Sequence, residues 1–487
     1  MTAFLEYLQF QARSRPHAPA LMTLRATLSY EELLGRVRSV ARYLTDNKLN
    51  RGDILVLSLI DPLQHCCAIL GAMAAGITTI SSFGQRPVMP NKLSVRAILT
   101  DQAPGPSPQA RVVRIPPNWL KDLPYESDFP APGSSNEVAR IVCTSGTTGE
   151  QKAVPFTEEQ LVQRVWAQVA GLRSLAGPSK TLGMMGLSSG AGFTNMMLVL
   201  MTGGTLMIIP GMAQLARVSS LYEMDRIIAS TAQLIGMLRQ QDNENADFAG
   251  VKSMVVGGSH IPRSVAKRAR TISRNIICLY GSTEVGVVAT ASTETTIKHQ
   301  SAVGFVAPGV RVEIVDEAGN PLGLDREGVI RVNVPGAPNH YLNDPEASRS
   351  VFRDGWFYPG DIGSLSADGL LFVSGRVSER INAGGVKVAP NIIEDVIGLR
   401  PEVADVAAFE SQNEDGISEI AVAIVPHENV DRSNFNRAEL RQSIQKQLRE
   451  RTPKRWIIVK EIPRTEQGKI DRAALQRLSR NRLAAVA

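Results

Sequence analysis

Cysteine is scarce: Cys66, Cys67, Cys143 and Cys278 are the only four in 487 residues. None forms a C-x-x-C pair, and the vicinal pair lies in an apolar run; this is the reduced, core-like usage expected in the cytoplasm. The six histidines are scattered, without H-E-x-x-H or a comparable zinc spacing. No apolar run reaches the ~18–20 residues a membrane-spanning helix needs. Met196 to Pro210 comes closest, and Thr202-Gly203-Gly204 interrupts it. Met1 to Arg13 lacks the charged-then-apolar order of a secretory signal. No basic tract interleaves with aromatics, so a nucleic-acid partner is not expected. There is no internal repeat and no low-complexity tract. What remains is an ordinary globular composition, 43% hydrophobic and 21% charged. The net charge of +6 suits phosphorylated ligands or acidic partners.

Residues 1–50 read as helical, with Phe4, Leu5, Tyr7, Leu8 and Phe10 on an apolar face and Ser29 capping a second helix. Asp53 to Leu59 reads as a strand, Pro62 to Ala75 as a helix and Ile77 to Ser82 as a strand. This alternation predicts an α/β fold with a doubly wound parallel sheet. Residues 101–137, rich in Pro, Ser and Gly, read as a connector. Strand–helix alternation resumes from Thr157, with strands at Thr181 to Ser189, Val251 to Val256 and Asn275 to Leu279. From 301 to 375, short alternating runs punctuated by Gly, Pro and Asp predict an antiparallel, barrel-like subdomain. Beyond Gly375-Arg376 a mixed α+β pattern returns. The expectation is a large N-terminal domain, 1–375, and a smaller mobile C-terminal domain, 376–487.

The most informative stretch follows the apolar run Val138 to Val142. Thr144-Ser145-Gly146-Thr147-Thr148-Gly149 packs four hydroxyls and two glycines into six residues, with Lys152 after them. Glycines let backbone N–H groups approach phosphate oxygens, hydroxyls donate further hydrogen bonds, and lysine adds charge. Walker A spacing is absent, and a plain polar connector is the bland alternative. Tyr280-Gly281-Ser282-Thr283-Glu284 closes a strand, the ligand edge of an open α/β sheet. There an aromatic ring can cover a base, Thr283 can reach a phosphate, and Glu284 can hold magnesium; a solvated strand-end turn is the alternative. Asp361, after a tight turn, can accept both hydroxyls of a ribose, and Arg376 can reach ribose or phosphate. Gly384-Gly385 permits close approach by a narrow ligand, and Lys469 follows Gly468 on a loop.

In this order the motifs resemble those of the adenylate-forming superfamily: acyl-CoA synthetases, peptide-synthetase adenylation domains and firefly luciferase. The resemblance covers essentially the whole chain. It implies that a small-molecule carboxylic acid attacks the α-phosphate of ATP, giving an acyl-adenylate and pyrophosphate. A thiol of CoA, or the phosphopantetheine of an acyl carrier protein, then takes the acyl or aryl group. By this resemblance the 144–152 loop holds the β,γ-phosphates, and Glu284, with Thr144, holds Mg2+. Tyr280, Gly258 and Ser259 flank the adenine, with Gly281 and Ser282 beside them. Asp361 and Arg376 hold the ribose, and Lys469, with Thr283, is catalytic. Ser188, Ser189, Gly190 and Gly257 fall at the acyl pocket, Gly384 and Gly385 at a thiol tunnel, and Ser378 at the domain hinge. A monomer or homodimer is expected.

The chain departs from the family in places. The hinge is commonly Asp or Lys, and here it is Ser378. Ser188-Ser189-Gly190-Ala191-Gly192 stands where many relatives carry an aromatic or histidine, which suggests a roomy or differently lined pocket. No aspartate is there to bind an α-ammonium, which argues against an ordinary amino acid. Pro359 and Val329 replace a usual threonine and glutamate without touching the proposed roles.

Overall fold

A computed structural model describes residues 3–82, 93–102, 110–130, 136–145, 151–171, 177–209, 211–244, 247–248, 250–383, 386–413, 417–427, 430, 435–465 and 469–484. The first sheet has six strands in the order Arg111–Arg114, Ala97–Thr100, Ile54–Ser58, Thr78–Ser81, Val138–Ser145, Gln151–Thr157. All its pairings are parallel except the last, a hairpin. The helix Pro62–Ala74 packs beside it, capped by Asp61, whose carboxylate accepts from the Gln64 amide, with proline at its first turn. It is buried on every side, Cys66 and Cys67 included, and is apolar apart from Gln64 and His65, which are buried with hydrogen bonds to the Pro117 carbonyl and Ser81.

The second sheet has a parallel half, with Thr205–Ile208, Lys180–Gly183, Arg226–Ser230, Ser253–Gly257 and Ile276–Ser282 side by side. An antiparallel half continues from it through Gly286–Ser292, Ala302–Val306, Leu370–Arg376, Asp361–Leu365 and Gly328–Asn333. The antiparallel subdomain predicted for 301–375 is therefore hydrogen-bonded into the parallel sheet. Its short strands carry the ribose candidates. Arg376 pairs in register with Asp361, which brings those two side chains together. A smaller C-terminal domain follows. It has the hairpin Ile381–Ala383 and Val386–Val388, the helices Pro390–Ile397 and Arg437–Leu448, and a sheet ordered Val403–Gln412, Ser418–Pro426, Arg455–Ile458.

Several local expectations are corrected. Residues 1–50 are not all helix: Ala3–Ser14 and Tyr30–Asp46 are helical, but Pro19–Met22 and Thr27–Ser29 are strands at the edge of the second sheet. Pro16 and Pro19 break the helix, and Ala20 and Leu21 find a buried strand position. Phe10 is exposed rather than part of the apolar face. The connector 101–137 contributes a sheet strand at Arg111–Arg114 and a short helix at Trp119–Asp122. The strand predicted at Thr181 to Ser189 is only Lys180–Gly183, and the one predicted to stop at Leu279 runs to Ser282. Among the described residues, no helix is long and apolar enough to cross a membrane.

Candidate active site

The strand Ile276–Ser282 ends in a hairpin that brings Tyr280 to Glu284 to the sheet edge. Gly281 is needed there, since a Cβ would lie 1.8 Å from the Gly286 carbonyl oxygen. The Tyr280 hydroxyl donates to Asp361 Oδ2 at 2.6 Å. Arg376 Nε donates to Asp361 Oδ1 at 3.1 Å. Asp361 is buried. Burial raises its pKa, and Arg376 and the Tyr280 hydrogen bond hold the rise down. Tyr280 itself is pushed well above its ordinary value, first by burial and then by Asp361. The ring, the carboxylate and the guanidinium form one linked group.

Glu284 is buried too. Its Oε1 accepts from the Tyr341 hydroxyl at 2.9 Å. The ring of Tyr341 lies under Lys152, whose Nζ is 5.1 Å from the centroid. One tyrosine thus joins the carboxylate to the lysine that follows the phosphate-loop motif. Arg164, from the helix Glu158–Gly171, donates to the carbonyl oxygens of Thr283 and Glu284, both at 2.9 Å. Burial lowers Arg164 to about 10 against the pull of Glu284. Its guanidinium fixes the backbone that presents Thr283 and Glu284. Beside them, Ser282 Oγ is buried with no hydrogen-bond partner among the described residues, an orphan that a bound polar ligand would satisfy.

Lys469 sits on a tight hairpin. The Thr465 amide donates to the Lys469 carbonyl at 2.8 Å, the Lys469 amide donates to Thr465 Oγ1 at 3.3 Å, and Arg464 bridges Ile470. The residue is exposed overall, yet enough protein lies around its ammonium that desolvation lowers its pKa. Arg376 lowers it further, while Glu379, Glu284 and Asp361 oppose. A lysine from the C-terminal domain therefore lies within electrostatic reach of the nucleotide-site candidates of the N-terminal domain.

In the first motif, Thr144 pairs with Lys152 and Ser145 with Gln151 as the two strands enter and leave the turn. Gly146, Thr147, Thr148 and Gly149 lie outside the described residues, as do Gly384, Gly385 and Gly468. Gly258 is exposed with φ +94°. The Ser259 carbonyl accepts from Thr231 at 3.0 Å, and Gly257 is buried against Leu279. Ser378 is exposed in the short turn Val377–Glu379.

Two of the small residues at 188–192 also have a packing reason. A Cβ on Gly192 would lie 2.2 Å from the Gly186 carbonyl oxygen, and one on Gly190 3.2 Å from Thr283 Cγ2. Ser189 caps the helix Gly190–Met201, its Oγ accepting from the Gly192 amide at 3.0 Å and donating to the Gly186 carbonyl at 2.8 Å. Ser188 is half-buried in the loop before it. Under this loop Arg140, fully buried, donates to the Leu187 carbonyl at 2.8 Å and to Ser81 Oγ at 2.6 Å. Arg140 and Arg164 had a sequence signal, a charge set inside an apolar strand or helix face. Tyr341 had none, because a lone tyrosine in a loop of Pro, Asn and Gly looks like any other.

The chain matches the family model described as AMP-binding enzyme over residues 8–342 and that for the AMP-binding enzyme C-terminal domain over 392–469. It is 26% identical over 346 residues to indoleacetate–CoA ligase of Aromatoleum aromaticum, covering 69% of this chain and 67% of that one. It is 24% identical over 506 residues to 4-chlorobenzoate–CoA ligase of an Arthrobacter species, covering 98% and 95%. The crystal structure of the anthranilate CoA ligase AuaEII in complex with anthranoyl-AMP superposes with a TM-score of 0.87 at 18% identity, over 99% of this chain and 98% of that one.

Proposed function

The chain belongs to the AMP-binding enzymes, the adenylate-forming superfamily of ligases, and on that premise we propose that it joins a carboxylic acid to the thiol of CoA in two steps. In the first, the acid's carboxylate attacks the α-phosphorus of ATP and pyrophosphate leaves. In the second, the thiol attacks the acyl carbon and AMP leaves. The observation that carries this reading is the position of Lys469, among the charges of Glu284, Asp361 and Arg376. Two anions must meet in the first step. A preorganised ammonium between them offsets the charge that builds on the α-phosphate.

The remaining roles follow from the same arrangement. Asp361 has acceptor capacity beyond Tyr280 and Arg376, because a carboxylate offers about four lone-pair sites, and it takes the ribose hydroxyls. Tyr280 offers its ring to the adenine beside Gly258 and Ser259. Lys152, placed over Tyr341, reaches the outer phosphates with the 144–149 loop. Magnesium fits the donor set: Glu284 supplies a hard carboxylate with only Oε1 engaged by a described hydrogen bond, and Thr144 adds a hydroxyl. When bound, the ion neutralises triphosphate charge. We place the division of the chain at 375/376, at the end of the strand Leu370–Arg376 that closes the long sheet in sequence and inside the break in the family match between 342 and 392, with Ser378 as hinge.

Pyrophosphate release across a panel of aryl, short-, medium- and long-chain acids, with and without CoA, tests the reading. Thioester should accumulate only with CoA present; pyrophosphate without any thioester would sink the ligase assignment. The exposed cations Arg437, Arg441, Lys446, Arg449 and Arg451 suit CoA phosphates or an acidic carrier protein alike, so a carrier is the second acceptor to test. Competition between CoA and a carrier separates them. A bulky residue at Gly385, such as Gly385→Trp, should cut thioester yield by about 100-fold while ATP–pyrophosphate exchange stays within about threefold. An unimpaired thioester yield would remove the tunnel.

A further inference from the structure

The segment after Gly257-Gly258-Ser259 carries a contact between the two domains that none of the roles above uses. His260 Nε2 is 3.1 Å from Asp395 Oδ1. Asp395 belongs to the C-terminal helix Pro390–Ile397, and its side chain is only 1% exposed. The Arg263 amide donates to the same Oδ1 at 3.4 Å, and Oδ2 has no hydrogen-bond partner among the described residues. A carboxylate this buried needs a cation near it, and His260 is placed to be that cation.

The contact is tied to Lys469. Glu394, next to Asp395, accepts from Arg472 at 2.7 Å, and Arg472 also meets Glu379 at 3.4 Å, one residue past Ser378. Arg472 lies three residues after Lys469. On the other side of the same hairpin, Arg464 holds both oxygens of Asp405 at 3.2 and 3.0 Å. Asp405 is itself 3.5 Å from Arg239 of the N-terminal domain. Each side of the Lys469 hairpin therefore ends at a carboxylate patch that a cation of the N-terminal domain also grips.

We propose that His260 is a positioning residue for adenylate formation: paired with Asp395, and helped by Arg239 on Asp405, it seats the C-terminal domain so that Lys469 comes within electrostatic reach of Glu284 and Asp361. The inference rests on the two-step reading above. It makes the docking charge-dependent. Around His260 lie Asp395 and Glu394, which favour the imidazolium, and Arg472, which opposes it; the Arg263 guanidinium is turned away onto the Ile297 carbonyl. The balance raises the His260 pKa above its ordinary 6.5 in the docked arrangement, despite desolvation. The sign follows from linkage: docking gains from the imidazolium fully below the undocked value, and that gain is lost as pH rises through the raised docked value.

The test uses the full chain as His260→Ala, His260→Gln and His260→Lys. Two readouts are taken: both half-reactions, with the acid that releases pyrophosphate fastest, and hydrogen exchange at the Arg263 amide in ligand-free protein at about pH 6 and about pH 9. Loss of the imidazole should slow adenylate formation about tenfold and leave thiol transfer from a supplied adenylate within about threefold. Protection of the Arg263 amide, taken relative to intrinsic exchange at each pH, should fall in the same variant, and in the parent protein as pH rises. His260→Lys should restore adenylate formation and flatten its pH dependence over that range. Equal loss in both half-reactions, or protection of the Arg263 amide indifferent to His260 and to pH, overturns the proposal. If no acid releases pyrophosphate, the two-step reading fails, while the exchange data still decide whether His260 holds the domains together. The glutamine variant gives the same reading if the alanine variant does not fold.

Discussion

Lys469→Ala should lower acyl-adenylate formation about 1,000-fold and leave thiol transfer from a supplied adenylate within about threefold. A charge pair at ~4 Å contributes about 4 kcal/mol at intermediate dielectric, and each ~1.4 kcal/mol of barrier is tenfold in rate. The lysine serves only the step in which two anions meet, so removing it should spare the step in which a thiol attacks an activated acyl group. The pH dependence carries the same signature. Desolvation and then Arg376 lower the Lys469 pKa from 10.5. The ammonium is the working form, so adenylate formation should fall as pH rises through a value below 10.5, and Lys469→Ala should erase that limb. Equal loss in both half-reactions would contradict the division of labour.

Glu284→Gln should slow adenylate formation by about 100- to 1,000-fold, the usual effect of removing a group aimed at developing charge. The substitution keeps volume and shape, and the amide oxygen can still accept from Tyr341. Folding stability should therefore change by no more than about 1 kcal/mol. Magnesium should be needed at higher concentration, because a charged hard ligand has become a neutral one. Unchanged magnesium dependence in a folded variant would remove Glu284 as the metal's ligand.

The ordered motifs were legible in the sequence because each combines unusual local chemistry with a strand end. Six small or hydroxyl residues after an apolar strand, or an aromatic, a glycine and a carboxylate in five residues, have few bland explanations once they recur in one order. The pairing of Asp361 with Arg376 was not legible, since it depends on the register of two antiparallel strands that composition leaves open. Tyr341 was hidden for a similar reason: its role comes from a loop that returns to Glu284 from 57 residues away. The strands at Pro19–Met22 and Arg111–Arg114 escaped because each is four residues long, too short for periodicity to separate from loop. The glycines at 190 and 192 read as room for a substrate, but sequence could not show that Gly192 also faces the Gly186 carbonyl and Gly190 the Thr283 side chain.

The central claim is that these side chains converge on one nucleotide to make an acyl-adenylate. It is tested most directly by incubating the protein with ATP labelled at the α-phosphate, magnesium and the acid panel, with no thiol present. The account predicts labelled acyl-AMP together with pyrophosphate, about one equivalent of each per site, for at least one acid. Label appearing in ADP, or staying in ATP with every acid, would contradict it.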